Sequence, residues 1–182
     1  LSDADLARKN EGGYVTGLPL AAYSTDIGLG GGARIYYYWN GRRGDARFAT
    51  TPYLHRLFVQ GFTSTKGIQF HWIDYDAPQI FDSPYRVRGQ LIFARNVNSN
   101  YFGFGEASLD PLRFPGSSAD YESYADYTAA QRLVSDGTTW AKYDQFDLIR
   151  PVFLASLERM FLGERVRVMA GVGVTYAGIG DY

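Results

Sequence analysis

From residue 166 to residue 176, apolar side chains alternate with small or polar ones without a break. Val166, Val168, Ala170, Val172, Val174 and Tyr176 hold one parity; Arg167, Met169, Gly171, Gly173 and Thr175 hold the other. Successive strand residues point to opposite faces, so this spacing predicts a strand with one wholly apolar face. The run is about 11 residues long, enough for a tilted strand to cross the hydrocarbon of a bilayer. An ordinary strand is nearer about six.

The same period recurs upstream. Over Gly28 to Trp39 the residues Leu29, Gly31, Ala33, Ile35, Tyr37 and Trp39 oppose Gly30, Gly32, Arg34, Tyr36 and Tyr38. Over Tyr85 to Asn98, Val87, Leu91 and Phe93 oppose Arg86, Arg88 and Gln90. Further strands are predicted at Tyr14–Tyr23, Phe48–Phe62, Ile68–Tyr75 and Tyr143–Leu157. The first carries Pro19, which a central strand rarely accommodates, and the second carries Pro52. Short turns join them, apart from a long outer loop over 106–142 rich in Asp, Ser and Tyr, with one short helix predicted at Tyr127–Val134. Of the two alternating sets of connections only one contains a long loop, as in a barrel whose two rims meet unlike compartments. The expectation is all-β: an antiparallel transmembrane β-barrel wall of about seven or eight strands over 14–182, preceded by a polar extension over 1–13.

Composition narrows this picture. Hydrophobic residues make up 46% of the 182, yet mean hydropathy is -0.24 and no long apolar run exists, which excludes a transmembrane helix. Aromatic residues reach 16%, which suits girdles at two membrane interfaces. A soluble, Tyr-rich binding module shares that signature. A net charge of -1 gives no reason to invoke nucleic acid. Only Lys9, Lys66 and Lys142 are lysines among the 18 basic residues, so arginine dominates. Arg34, Arg86, Arg88, Arg150 and Arg167 fall on the polar parity and are the candidate lumen residues. Val166, Val168, Val172, Val174 and Tyr176 are the candidate lipid-facing residues. A charge on a lipid face costs about 2–4 kcal/mol near the midplane, whereas a wet lumen tolerates it.

Two segments carry a resemblance. Leu18 to Gly32, L-P-L-A-A-Y-S-T-D-I-G-L-G-G-G, and Asn98 to Ser108, N-S-N-Y-F-G-F-G-E-A-S, resemble the start of the barrel in the Omp85 superfamily, the surface antigens that include BamA-like and TamA-like proteins. Y-D-A-P at 75–78 also resembles shorter members. The resemblance implies a barrel of about sixteen strands, of which this chain matches the first half, in a Gram-negative-type outer membrane. It implies a component that inserts or exports polypeptides. Family members carry POTRA repeats ahead of the barrel, an Arg-bearing lumen loop in its second half and an aromatic end to the last strand; this sequence shows no counterpart of the first two, and its final Tyr182 reads as loop. Open sheet edges do not sit unpaired in hydrocarbon. A second chain, or further copies, is therefore expected to complete the wall, with polypeptide clients and membrane lipid as the other partners.

Gly17, Pro19, Gly28, Gly30, Gly31 and Gly32 make a poorly pairing first strand that could open to template an incoming one. Enzyme chemistry finds little support. There is no Cys, and His55 and His71 lack metal-ligand spacing. Asp74 and Asp76 share a face and read as a polar strand end, not as a catalytic pair. Asp110, Asp120, Glu122 and Asp126 lack an EF-hand pattern. The glycines at 28–32 are followed by no phosphate-loop Lys. No catalytic residue, cofactor or metal is expected. Besides insertion or export, two functions stay open: a pore or structural barrel without insertase activity, and a soluble all-β binding module.

Overall fold

The computed structural model describes residues 2–133, 139–163 and 165–180. Val134, Glu164 and Tyr182, on which parts of the predicted helix, turn and C-terminal loop fall, lie outside the described residues. The chain is mostly antiparallel β-sheet, built as eight strands: β1 Gly13–Ser24, β2 Gly28–Trp39, β3 His55–Ser64, β4 Gln69–Ala77, β5 Tyr85–Asn100, β6 Gln145–Phe161, β7 Val166–Thr175 and β8 Gly178–Gly180. Among the described residues two short α-helices accompany them, α1 Asp3–Arg8 and α2 Tyr124–Gln131, with two 3-10 turns at Ile80–Asp82 and Gly105–Leu109. The all-β expectation is met in this coarser form. The sheet follows chain order from β1 to β7, with β8 beside β6. It is not closed; β1 and β7 are its edges.

The chain divides into two compact units, 1–95 with 149–177, and 96–148 with 178–182. The first holds the sheet described below. Its antiparallel registers are continuous: Ile35 pairs Gly17 and Val59, and Ile73 pairs Val59 and Leu91. Tyr85 meets Arg159, and Leu91 to Phe93 lie beside Val152 and Phe153, so β6 runs back along β5. β7 returns along β6 from Phe161↔Val166 to Val152↔Thr175.

Two strand boundaries differ from the expected ones by more than two residues. β3 begins at His55 and not near Phe48. Phe48 is buried, but by the N-terminal segment: the Lys9 ammonium lies 4.3 Å from its ring centroid and donates to the Phe48 and Thr51 carbonyls at 2.6 and 2.7 Å. Burial holds the Lys9 ammonium below the usual lysine range. The polar extension is therefore tied to the β2–β3 connection. Asn40 adds to this by donating to the Asn10 carbonyl at 2.7 Å, and α1 starts at a capping box between Ser2 and Asp5. β6 runs four residues past the predicted Leu157, because Glu158 and Met160 continue its polar parity.

In the second unit the described residues of the long connection, 106–133 and 139–142, form local structure. Leu112 bridges Tyr121, and α2 starts at Ser123, whose hydroxyl accepts from the Asp126 amide. Tyr127 is buried against Phe114 and Tyr121, and its hydroxyl donates to Asp144 at 2.5 Å. Burial and then that carboxylate push the Tyr127 phenol well above the usual tyrosine range.

Candidate functional site: a two-faced sheet

Period-two alternation across these registers sorts the side chains of the first unit into two faces. On one lie Val15, Ile35, Leu57, Val59, Ile73, Leu91, Phe153, Leu157, Val166, Val168, Val172 and Val174, all exposed. Val172 and Val174 keep 59% and 62% of their surface open, and Tyr176 keeps 66%. Such a face is the reverse of what a water-soluble sheet presents, where the apolar side packs on a core. The predicted valines share this face, with Ile35, Tyr37 and Trp39 of β2.

The other face is more polar, half-buried over most of β2 to β6, and holds a few buried carboxylates. Asp76 of β4 is only 1% exposed. It takes a two-pronged grip from Arg86, Nε to Oδ1 at 2.8 Å and Nη2 to Oδ2 at 2.6 Å, and accepts from the Tyr53 hydroxyl at 2.6 Å. Arg88 Nε stands 3.7 Å away. One strand-turn on, Asp74 accepts from Arg56 Nη2 at 2.5 Å and from Gln90 at 2.7 Å. Arg34 donates to Gln60 at 2.9 Å. On β6 the buried Glu158 lies 3.5 Å from Arg167 of β7. Bidentate Arg–carboxylate pairs are the strong kind of charged contact, and each carboxylate here has its partners. Tyr53, in the β2–β3 connection, has its phenol pushed up to about 12 by burial and by its bond to Asp76.

Four of the five candidate lumen arginines, Arg34, Arg86, Arg88 and Arg167, join these contacts on the polar face. Arg150 has the same parity but is exposed, beyond the last β6–β7 pair, Val152↔Thr175. Asp74 and Asp76 lie at the end of β4, as the sequence suggested, and are also the buried centres of this network. Arg56, Tyr53 and Glu158 are the members that the sequence reading missed. Arg56 was hidden by starting its strand too early, though it shares parity with Gln60. Aromatic rings line the same face in a row, Tyr14–Tyr38 at 5.0 Å, Tyr36–Phe58 at 4.7 Å and Phe58–Trp72 at 4.8 Å. His55 and His71 sit on the apolar parity, stacked on Tyr75 and Phe93. Among the described residues no group of His, Asp and Glu could hold a metal ion.

The edges have a definite hydrogen-bond phase. In an antiparallel ladder only alternate residues exchange bonds with a given neighbour. The Leu29 and Trp39 carbonyls accept from the β3 side, while Asn40 donates back to Gly12. Even residues of β1 therefore bond β2. Odd ones, Gly13, Val15, Gly17, Pro19, Ala21 and Tyr23, turn their backbone to the open edge. Pro19 thus removes a donor from the outer edge and not from the β1–β2 ladder, which pairs all twelve residues of β1. Glycines 30 and 32 serve packing: a Cβ on Gly32 would stand 2.0 Å from the Gly61 carbonyl oxygen, and one on Gly30 2.3 Å from the Phe62 ring. At the opposite edge Tyr176 donates to Pro151, so even residues of β7 bond β6 and odd ones face outward. No described helix is long and apolar enough to cross a membrane.

A family model described as a domain of unknown function, DUF5982, matches residues 1–54. That stretch is α1, β1, β2 and the connection that Lys9 and Asn40 tie together. No curated protein matches the chain, and no solved structure does.

Proposed function

We propose that this chain is a wall segment of an outer-membrane β-barrel, with the valine face on lipid, the Arg–Asp face on a wet lumen, and an Omp85-like part in inserting or exporting polypeptides. The observation that carries the wall reading is the exposed apolar face running from β1 to β7 behind a buried ion-pair network. Water would penalise that face; acyl chains would not. The alternative of a soluble binding module leaves the same face unexplained.

The insertion or export role draws on the resemblance of Leu18–Gly32 and Asn98–Ser108 to Omp85 barrels, together with the free edge of β1. The hydrogen-bond phase refines the mechanism. A β1 edge lacking the Pro19 donor makes the outer seam the weak one and leaves the β1–β2 ladder whole, so an incoming strand would add at that seam. The test is reconstitution into lipid vesicles. The chain, with whatever completes its barrel, is expected to float with the lipid after alkaline washing and to speed the folding of an added, urea-unfolded β-barrel client. A monomer that stays soluble without detergent would overturn the wall reading. A lipid-inserted particle that leaves client folding unchanged would overturn the insertase role alone.

A further inference from the structure

The long connection between β5 and β6 forms a cavity that the insertion or export role leaves unused. It lies within the second unit and has a volume of about 450 Å³; Tyr101, Phe102, Asp110, Arg113, Tyr143 and Asp144 are among the residues that line it. Small-molecule sites run from about 300 to 1,000 Å³. Three of these residues are aromatic, and Tyr101, Phe102 and Tyr143 all keep much of their surface open to solvent. Aromatic rings are the side chains that gain most from being covered.

The polar groups of this cavity are held in place from behind. Tyr127 and Gln131 of α2, both buried, donate to Oδ2 of Asp144 at 2.5 and 2.9 Å. The Tyr127 hydroxyl also lies 3.2 Å from the Arg113 carbonyl oxygen. The Tyr101 amide donates to the Asp144 carbonyl at 2.9 Å, which ties the two ends of the connection together. Both side-chain bonds to Asp144 end on Oδ2, so the carboxylate is fixed while Oδ1 is left to accept. Arg113 is fixed by Asp120, to which Nη2 donates at 2.8 Å beside a second bond from Nε, and Nη1 is left to donate.

This wall selects its ligand by exclusion. An anion would meet two like charges, Asp110 and Asp144. A cation would meet Arg113 and leave the Arg113 and tyrosine donors without a partner. A wholly apolar ligand would strip water from three charged groups and return no hydrogen bond. A peptide that binds by backbone pairing needs an open strand, and here the Tyr101 amide and the Asp144 carbonyl are already bonded to each other. What fits is a neutral molecule with donors and acceptors around its rim and an apolar face for a ring to cover. A pyranose has that form, with hydroxyls at its edge and C–H groups on its faces. We infer that the cavity binds a saccharide, its ring laid against Tyr101 and Tyr143 and its hydroxyls bonded to Asp110, Asp144 Oδ1 and Arg113. The inference stands on the second unit alone and holds whether or not the sheet meets lipid.

The test titrates the full chain, in a mild detergent without a sugar headgroup, with maltotriose, chitotriose and mannotriose. Trp140 reports binding by its fluorescence, since its ring lies 5.7 Å from that of Tyr143. At least one trisaccharide is expected to saturate the signal by about 10 mM, tenfold above a millimolar Kd. Tyr101→Ala and Asp110→Asn change exposed side chains, and each is expected to weaken binding about tenfold, the worth of one hydrogen bond to a charged group, with the circular dichroism unchanged. Tyr23→Ala, which removes an equally exposed tyrosine of the first unit, should leave binding as it was. The same chemistry would recognise a free glycan or one carried on a lipid. The trisaccharide that binds is therefore also offered with an octyl chain at its reducing end, below its micelle concentration. Tighter binding then marks a lipid-borne glycan and equal binding a free one, and both support the inference. No response to any of the three sugars, binding that survives both variants, or saturation by choline or inorganic phosphate in their place would overturn it.

Discussion

Replacing Asp76 by Ala removes the acceptor at the centre of the polar face. Three hydrogen bonds of 2.6 to 2.8 Å end on this carboxylate, two from Arg86 and one from Tyr53, and Arg88 stands at ion-pair range. Removing one member of a buried pair costs about 3–5 kcal/mol, because the other charge is left without its counter-charge. Arg86 keeps 28% of its side-chain surface, so part of its hydration is recoverable and the lower end applies, about 3 kcal/mol. The control is Arg167→Ala. That guanidinium is 58% exposed and 3.5 Å from Glu158, so its loss is worth under about 1 kcal/mol. Urea unfolding in lipid vesicles, followed by tryptophan fluorescence, reads both, since Trp72 lies two residues from Asp74 on the same face. The Asp76→Ala, Arg86→Ala double variant should be less destabilised than the sum of the single ones, with a coupling of about 1–3 kcal/mol. If Asp76→Ala proved no more destabilising than Arg167→Ala, the polar face would not be held by its buried carboxylate, and the account of this network would be wrong.

Three further outcomes follow from the same geometry. Val172→Arg, on the apolar face, is expected to cost about 2–4 kcal/mol in a bilayer, whereas Met169→Arg, equally exposed but on the other parity, should be nearly neutral; equal costs in vesicle unfolding would refute the assignment of faces. The Tyr53 phenol is raised from about 10 in the unfolded chain to about 12, so its bond to Asp76 contributes fully below pH about 10 and is lost as pH rises through about 12. Tyrosinate absorbance of the native protein and of Tyr53→Phe should therefore coincide near pH 11, and a difference already present at pH 10 would contradict this. Pro19→Ala restores an outward donor, so amide exchange should find the Leu18 and Leu20 amides as protected as before; a marked gain there would mean that the proline had weakened the β1–β2 ladder after all.

The strands with two unmixed faces were the legible ones. Val166–Thr175 and Gly28–Trp39 follow from alternation because each position answers one question, which face it serves. What alternation does not carry is register. Asp74 and Asp76 were legible as a strand end but not as centres of an ion-pair network, because the facing residues, Gln90 and Arg88 across β5 and Phe58 and Arg56 across β3, are fixed only by pairing. Phe48 misled for a related reason: it is apolar and buried, but what covers it is Lys9 from far away in sequence. Pro19 was read as weakening its ladder, and only the hydrogen-bond phase, set by Asn40, Leu29 and Trp39, turns it outward. In the long connection the helix lies three residues earlier than expected at its start, where the Ser123 cap outweighs the apolar spacing that suggested Tyr127.

Two arginines share the parity of the apolar face: Arg95 pairs Gln69 towards one end of β4 and β5, and Arg159 stands towards the end of β6. Arg159 has the parity of Leu157 and Phe161, yet carries a charge. Its guanidinium carbon lies 5.2 Å from the Tyr85 ring and 4.8 Å from the Phe161 ring, and Nη1 donates to the Tyr85 hydroxyl at 3.1 Å. These partners stand at the ends of β5 and β6, on the same end of the sheet as Trp39 at the close of β2. In hydrocarbon a bare guanidinium at mid-strand would be costly, whereas one held by aromatic faces at the strand end keeps its head at the level of an interface. Across β2 to β4 the middle of the apolar face is aliphatic, Ile35, Val59 and Ile73 in one register row, with Tyr37, Trp39 and Tyr75 towards that same end. A protein–protein docking face has no need to sort aliphatic from aromatic residues by height along the strands; a membrane boundary does. The position of Arg159 is thus one that the proposed wall accommodates and that a face packed on another protein would leave without a reason.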